Sequence, residues 1–216
     1  FKELGATLDD LFARLEASFI SQRRFVSNAS HELRTPLTAV RTLLQVALAD
    51  PAADTATLRA ACDQVLLLGG QQERLIDALL TLAAGEGGVH RRQTCDLAML
   101  ARVAIDDRLG AIEGSGLHVH SSLSSAPLVG DARLLESLVA NLIDNAVRHN
   151  ACGGRIDVTT ATIADRATVS VHNTGQLVPA AELERLFQPF QRLGADRVSQ
   201  DPGHGLGLAI VAAIAN

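Results

Sequence analysis

Ser30-His31-Glu32-Leu33-Arg34-Thr35-Pro36-Leu37 sets an imidazole beside a carboxylate, with a proline four residues after that carboxylate. The apolar seam through this segment uses Ala29 and Leu33, so His31, two positions on, points away from it. Glu32 can hold a proton on one ring nitrogen and leave the other nucleophilic. Pro36 has no N–H, so the Glu32 carbonyl loses its intrahelical donor and the helix can bend there. The residues alone leave a plainer reading open: Thr35 as an N-cap, Pro36 as the first residue of a new helix, and His31 at the surface. A zinc-protease motif is excluded, because Thr35 stands where its second histidine is needed.

A second constellation is Asn141-Leu142-Ile143-Asp144-Asn145-Ala146-Val147-Arg148-His149-Asn150. Asn141, Asn145 and His149 are spaced by four, which stacks them along one side of a helix. Asparagine is a poor helix former, yet two interrupt an otherwise apolar stretch. Amide oxygens suit Mg²⁺ and amide N–H groups can donate to phosphate oxygens; an ordinary polar face is the rival reading.

The third is Asp201-Pro202-Gly203-His204-Gly205-Leu206-Gly207-Leu208-Ala209-Ile210, in which alternate glycines open an apolar helix. Glycine lets backbone N–H groups approach an anion, and a helix N-terminus adds partial positive charge. The spacing is neither a dinucleotide fingerprint nor a P-loop. Before it, Phe187-Gln188-Pro189-Phe190 leads into a polar loop, 191–202, carrying Arg192 and Arg197. Two arginines on a mobile loop can close over phosphates, or the loop is simply solvated. In Val171-His172-Asn173-Thr174-Gly175 a strand ends in a turn, where Asn173 either reads a base edge or serves the turn.

The elements that must position these residues follow from hydrophobic spacing. Leu4, Leu8, Leu11 and Leu15, then Val26, Ala29, Leu33, Leu37, Val40, Leu44 and Ala47, recur about every 3.5 residues. Leu58, Cys62, Val65, Gly69, Gln72, Ile76, Leu79 and Ala83 do the same, and Asp50-Pro51-Ala52-Ala53-Asp54-Thr55 between the runs has turn and helix-start chemistry. Residues 1–84 are therefore expected to form a long helical hairpin. Two helices cannot enclose such a seam and four can, so a symmetric homodimer is expected.

Gly85-Glu86-Gly87-Gly88 reads as a joint, after which the pattern changes. One amphipathic helix is expected over 96–110, strands at Leu117–Leu123, Ile156–Thr159 and Val169–Val171, and helices at Leu134–Val147 and Leu206–Ala215. This mixture predicts an α/β sandwich with helices on one face of a mixed sheet.

Composition narrows the classes. The 216 residues carry Lys+Arg 19 against Asp+Glu 24, a net charge of −5, which offers no basic footprint for nucleic acid. Hydrophobic residues make up 47 %, a globular balance allowing one or two domains. Cys62, Cys95 and Cys152 are odd in number and scattered, which argues against a disulfide framework and for a reducing compartment. Leu206–Ala215 is about half the ~20 apolar residues of a membrane span, and no signal peptide is evident. A chain that opens at Phe1 and closes on Asn216 in mid-helix pattern reads as a fragment, with any anchor upstream.

The order and spacing of these motifs resemble the cytoplasmic transmitter region of a bacterial two-component sensor histidine kinase, over nearly all of 1–216. The resemblance implies the end of a HAMP-like signalling helix over 1–20, a dimerising phosphoacceptor hairpin over 21–84, a linker over 85–91, and an ATP-binding domain of the gyrase/Hsp90 fold over 92–216. It also implies that the strands usually following the last helix are missing. His31 would accept the γ-phosphoryl group, Glu32 would be its base, and Thr35 would serve removal of phosphate from the partner. Asn145 would hold Mg²⁺ with Asn141 in support, while Arg148 and His149 match a basic residue and an adenine-stacking ring. Phe190, Arg192 and Arg197 match the lid region. Gly203, His204, Gly205, Leu206 and Gly207 match the second glycine box.

Asn173 and Gly175 match the first glycine box with two departures, since the family usually has Asp at position 173 and Gly at position 177, here Leu177. An amide oxygen still accepts the adenine amino proton but without charge assistance, a difference of ~1 kcal/mol.

The expected activity is autophosphorylation of His31 from Mg-ATP, transfer to an aspartate of a response regulator, and phosphatase action on that regulator. The expected setting is the cytoplasmic portion of a membrane protein, with membrane contact only through segments upstream. The rival is a catalytically weak dimeric scaffold or phosphatase-biased regulator with a degenerate nucleotide site; ATP binding that disappears on Asn145→Ala separates the two. A gyrase- or chaperone-type ATPase is disfavoured because those lack a bundle histidine of this kind.

Overall fold

The computed structural model describes residues 2–86, 92–193 and 204–215. The chain forms two compact units, Phe1–Ile76 and Asp77–Asn216.

The first unit is built on α1 (Lys2–Ala49) and the greater part of α2 (Thr55–Glu86). The turn between them follows from two aspartates. The Asp50 side chain accepts from Ala52 N at 2.9 Å, and Asp54 accepts from both the backbone N–H and the hydroxyl of Thr57, at 2.8 and 2.7 Å. Asp54 thus satisfies donors that the first turn of α2 leaves open.

Pro36 lies inside α1, which continues unbroken past it. The lost donor falls on the carbonyl of the exposed Glu32, where water can replace it. Thr35 is no N-cap: its hydroxyl donates backward to the His31 carbonyl at 3.1 Å, as Ser30 does to Val26 at 2.8 Å and Thr38 to Arg34 at 2.9 Å. The new-helix reading of Thr35-Pro36 is therefore set aside.

Within the hairpin, Ala29, Leu33, Val40, Ala47 and Val65 are half-buried and Leu75 is fully buried. Gln72 Nε2 donates to the Leu33 carbonyl across the hairpin at 3.1 Å. Val26, Leu37, Leu44, Leu58 and Ile76, also on the expected seam, remain exposed. One chain thus covers only part of its apolar stripe.

The second unit is an α/β sandwich. Its sheet has strand order β2-β4-β5, from β2 (His118–Leu123), β4 (Arg155–Ile163) and β5 (Arg166–Asn173). β2 and β4 run parallel, with Val119 opposite Ile156, and β4 and β5 run antiparallel, with Val158 opposite Val171. The sheet is mixed, as the patterning predicts. A small antiparallel ladder joins β1 (Gln93–Asp96) to β3 (Pro127–Gly130).

Alternation on β4 drives Ile156, Val158 and Thr160 inward, and the Thr160 hydroxyl is satisfied by the Ser124 carbonyl at 2.7 Å. Against this face pack α3 (Leu97–Asp106) and α5 (Ala132–Arg148), through Ala101, Ala104 and Ile105 and through Val139, Ile143 and Ala146. α7 (Gly207–Ala215) packs on α5 and buries Ala209 and Ile210.

Three differences from expectation are local. The single helix expected over 96–110 is two, α3 and α4 (Leu109–Gly114), because Arg108 leaves helical geometry at φ −109° and ψ 1°. Its guanidinium turns back to the Ala104 carbonyl at 3.2 Å and across to Asp144. β1, β3 and α6 (Ala180–Leu186) had no periodic signal, being four, four and seven residues long. Finally, α2 includes Gly85 and Glu86, and the remaining residues of the expected joint, 87–91, lie outside the described ones.

Candidate active site

In the first unit, His31 is exposed on α1 and its imidazole takes no hydrogen bond among the described residues. Glu32 is exposed beside it, but the expected bond from carboxylate to ring nitrogen is not formed, since neighbouring residues on a helix diverge by about 100°. A bare imidazole keeps a ring nitrogen lone pair available to an electrophile. Thr35, exposed one turn on, is tied through its hydroxyl to the His31 carbonyl.

In the second unit, α5 carries the amide face. Asp131 caps the helix, its side chain accepting from Arg133 N at 3.0 Å and Leu134 N at 3.5 Å. Buried Leu135, Leu138, Val139, Ile143 and Ala146 fix one side of the helix against the core. Asn141 and Asn145 are left half-buried on another side. Asn141 Nδ2 donates to Ser137, at 2.8 Å to the carbonyl and 3.3 Å to the hydroxyl, so its oxygen is turned away from Ser137, toward Gly207. The Asn145 amide takes no partner among the described residues.

Glycines bring other backbone segments up to this face. Gly207 opens α7 so near Asn141 that a Cβ there would stand 3.0 Å from the amide oxygen. Gly205 sits at φ +67°, a left-handed position that suits glycine, with a would-be Cβ 2.8 Å from the Gln191 carbonyl oxygen. Phe190, itself at φ 65°, donates its N–H to the Gly205 carbonyl at 2.8 Å. The two ends of the arginine-bearing loop are thereby bonded together beside α7. Half-buried Arg192 is on the near end, with its carbonyl accepting from Arg185 Nη2 at 3.0 Å, and half-buried His204 is on the far end. Leu206 is buried, so only its backbone can face a ligand. Arg197 and Gly203 lie outside the described residues.

The third wall is the exit of β5. Asn173 Nδ2 donates to the His149 carbonyl at the C-cap of α5, at 2.8 Å, which leaves Oδ1 as the free acceptor. Gly175 lies so close that a Cβ would overlap the same carbonyl oxygen. Thr174 and Asn150 complete the join: the Thr174 hydroxyl donates to Asn150 Oδ1 at 2.9 Å and accepts from Arg155 N at 2.9 Å. Leu177, at 90 % exposed, contributes no wall. Arg148 and His149 are exposed at the last turn of α5, adjoining this corner.

The structure thus brings Asn141, Asn145, His149, Asn173, Gly175, Phe190, Gly205 and Gly207 onto adjoining edges of one unit. Amide oxygens, backbone close to α7's N-terminus and an acceptor oxygen at Asn173 are groups that a nucleotide with a divalent cation can use. Asn145's unengaged amide and the gaps that a Cβ would fill fit that group. Ser137, Thr174 and Asn150 escaped sequence reasoning because short polar residues near a helix or turn carry no distinctive spacing. Arg108 escaped too: it grips Asp144, 36 positions away, at 2.5 and 2.9 Å, and that pairing raises the guanidinium above its ordinary value.

Two family models match the chain. Residues 21–88 match the His Kinase A (phospho-acceptor) domain, and residues 130–216 match the histidine kinase-, DNA gyrase B-, and HSP90-like ATPase. Sensor protein CutS of Streptomyces coelicolor is 43 % identical over 215 residues, 99 % of this chain and 52 % of that protein. The probable sensor histidine kinase TcrY of Mycobacterium tuberculosis is 34 % identical over 219 residues, 98 % of this chain and 45 % of its own length. The chain spans about half the length of the curated relatives it matches. Among solved structures, Acinetobacter baumannii histidine kinase AdeS aligns with TM-score 0.64 at 24 % identity, covering 85 % of each chain. Histidine kinase ThkA in complex with response regulator protein TrrA aligns with TM-score 0.61 at 18 % identity, covering 83 % of this chain and 53 % of that one. These two alignments establish the shared fold.

Proposed function

Because the chain belongs to the bacterial sensor histidine kinases, as their transmitter region, we propose that it phosphorylates its own His31 from Mg-ATP and passes the group to an aspartate of a response regulator. The observation that carries this reading is the exposed, unengaged imidazole of His31 on α1 of a chain whose second unit gathers the Asn141 and Asn145 amides and closely approached glycines.

A ring nitrogen of His31 attacks the γ-phosphorus. An N–P bond forms as the bond to the bridging oxygen breaks, the electron pair leaves with ADP, and the ring proton passes to a base, with Glu32 the nearest carboxylate in sequence. Asn145, supported by Asn141, would hold Mg²⁺, which neutralises charge on the phosphates. Asn173 Oδ1 would accept from the adenine amino group, and the Asn173–His149 bond pre-aims that oxygen. Arg148, Arg192 and Arg197 supply cationic groups for the phosphates. The phosphoramidate on His31 is reactive enough for transfer to a carboxylate, and Thr35, one turn on, would serve the attack of water on the regulator's acyl phosphate, which releases inorganic phosphate.

The partner's class is supported by the relative solved with a response regulator. A homodimer is supported by the apolar row Val26, Leu37, Leu44, Leu58 and Ile76 left exposed in one chain. Among the described residues no helix is long and apolar enough to cross a membrane. Membrane attachment through segments preceding this chain is part of the proposal.

The test is incubation with Mg-ATP labelled in the γ-phosphate, followed by mapping. Acid-labile label on His31, absent from His31→Gln and chased onto a receiver domain, is the expected result. Label surviving in His31→Gln overturns the reading. Bound nucleotide without label in the wild type would favour the scaffold alternative.

A further inference from the structure

Asp144 is out of place on a helix that offers amides to a triphosphate. It immediately precedes Asn145, lies three residues after Asn141 and four before Arg148. An unneutralised carboxylate there repels the phosphates. In the structure both its oxygens are engaged by Arg108, through Nε and Nη2 at 2.5 and 2.9 Å. Arg108 occupies the break between α3 and α4 and is itself held by the Ala104 carbonyl at 3.2 Å. Its side chain is 20 % exposed and that of Asp144 48 %, so the cation sits on the inner side of the pair. A bidentate fork is the geometry that fixes a carboxylate's direction as well as its charge.

We propose that Arg108 is a positioning residue of the nucleotide site, masking and turning aside the Asp144 carboxylate so that the triphosphate of Mg-ATP meets the Asn145 amide without this anion beside it. This rests on the Mg-ATP reading above and adds a residue outside the set that would hold the nucleotide. The break in the α3–α4 helix then has a purpose, since it delivers the guanidinium to α5.

The test is Mg-ATP affinity by calorimetry on the full chain, for wild type, Arg108→Met, Asp144→Asn and the double variant. For a chosen separation of about 8 Å from a ligand of net charge about −2, at an effective dielectric near that of water, Coulomb repulsion by an unmasked carboxylate weakens binding ~5–10-fold. Arg108→Met should show that loss, and the loss should shrink as salt rises. Asp144→Asn, which leaves the guanidinium without its anion, should bind about twofold tighter than wild type. The double variant should return to within about twofold of wild type.

A brace without an electrostatic role gives a different pattern: Asp144→Asn weakened, and the double variant as weak as Arg108→Met. That pattern, or unchanged affinity in Arg108→Met, overturns the proposal while leaving the kinase reading intact. Should Arg108→Met fail to fold, Asp144→Asn alone still decides by the sign of its effect. No Mg-ATP binding by the wild type overturns the kinase reading and this inference with it.

Discussion

Gly175→Ala is the most exacting test of the nucleotide corner. A Cβ at position 175 would overlap the His149 carbonyl oxygen, and would lie 2.6 Å from Asn173 Nδ2 and 2.9 Å from the His149 carbonyl carbon. Ordinary carbon contacts need about 3.5 Å or more, so the exit of β5 and the end of α5 must separate by ~1–2 Å. Both are anchored in the core, β5 by its pairing with β4 from Ile156 to Ile163 and α5 by Ile143 and Ala146. The Asn173–His149 bond of 2.8 Å does not survive such a shift.

Overpacking costs ~1–3 kcal/mol and the lost bond ~1 kcal/mol more. Nucleotide binding requires the original geometry and so bears most of this, giving ~10–100-fold weaker affinity at about 1.4 kcal/mol per decade. Gly153→Ala is the control. It also faces backbone strain, at φ +66°, but its Cβ meets nothing within 4 Å and it should lose only ~1–2 kcal/mol of stability with affinity unchanged. Calorimetric titration with Mg-ATP and thermal unfolding of the full chain measure both. Affinity of Gly175→Ala within twofold of wild type, with no greater loss of stability than Gly153→Ala, would refute the reasoning.

Other consequences are open to measurement. Gly207→Ala puts a Cβ 3.0 Å from Asn141 Oδ1, a contact that a side chain can yield to by a few tenths of an ångström, so Mg-ATP affinity should fall only ~2–5-fold. Leu44→Asp places a charge on the exposed apolar row; with ~1.5–3 kcal/mol per leucine buried and two per dimer, association in sedimentation should weaken at least ~100-fold. The Asp96 carboxyl is held below its ordinary 3.8 by hydrogen bonds from Ala126 N, the Ser125 hydroxyl and Ala98 N. A lowered folded-state value means the stabilisation is present above pH ~4 and fades as pH falls further. Asp96→Asn should therefore flatten the acid-side decline in thermal midpoint below about pH 4, and an unchanged decline would count against it.

Much of the architecture is legible in the sequence. The heptad-like spacing of Leu33, Val40 and Ala47 on one helix, and of Val65, Gln72 and Leu79 on the next, declares a hairpin because one apolar stripe must meet another. The aspartates at 50 and 54 mark its turn. Alternation in β2, β4 and β5 marks the sheet, since side chains on a pleat face in and out by turns. The candidate residues stand in motifs readable by spacing alone, with Asn141, Asn145 and His149 four apart and glycines at 203, 205 and 207.

Periodicity reports only what neighbours along the chain share, and the tertiary structure decided the rest. The hydroxyl of Thr35 bonds backward rather than capping a helix, because the hairpin's stripe carries α1 straight through Pro36. The helix expected over 96–110 breaks at Arg108, because a partner 36 residues away on α5 claims its guanidinium. Which end of the Asn173 amide faces a ligand is set by the His149 carbonyl, 24 residues away. Spacing is inherited along the backbone, whereas orientation and charge pairing depend on which surfaces pack together; the sequence by itself determined the elements and the candidate side chains, and only packing aimed them.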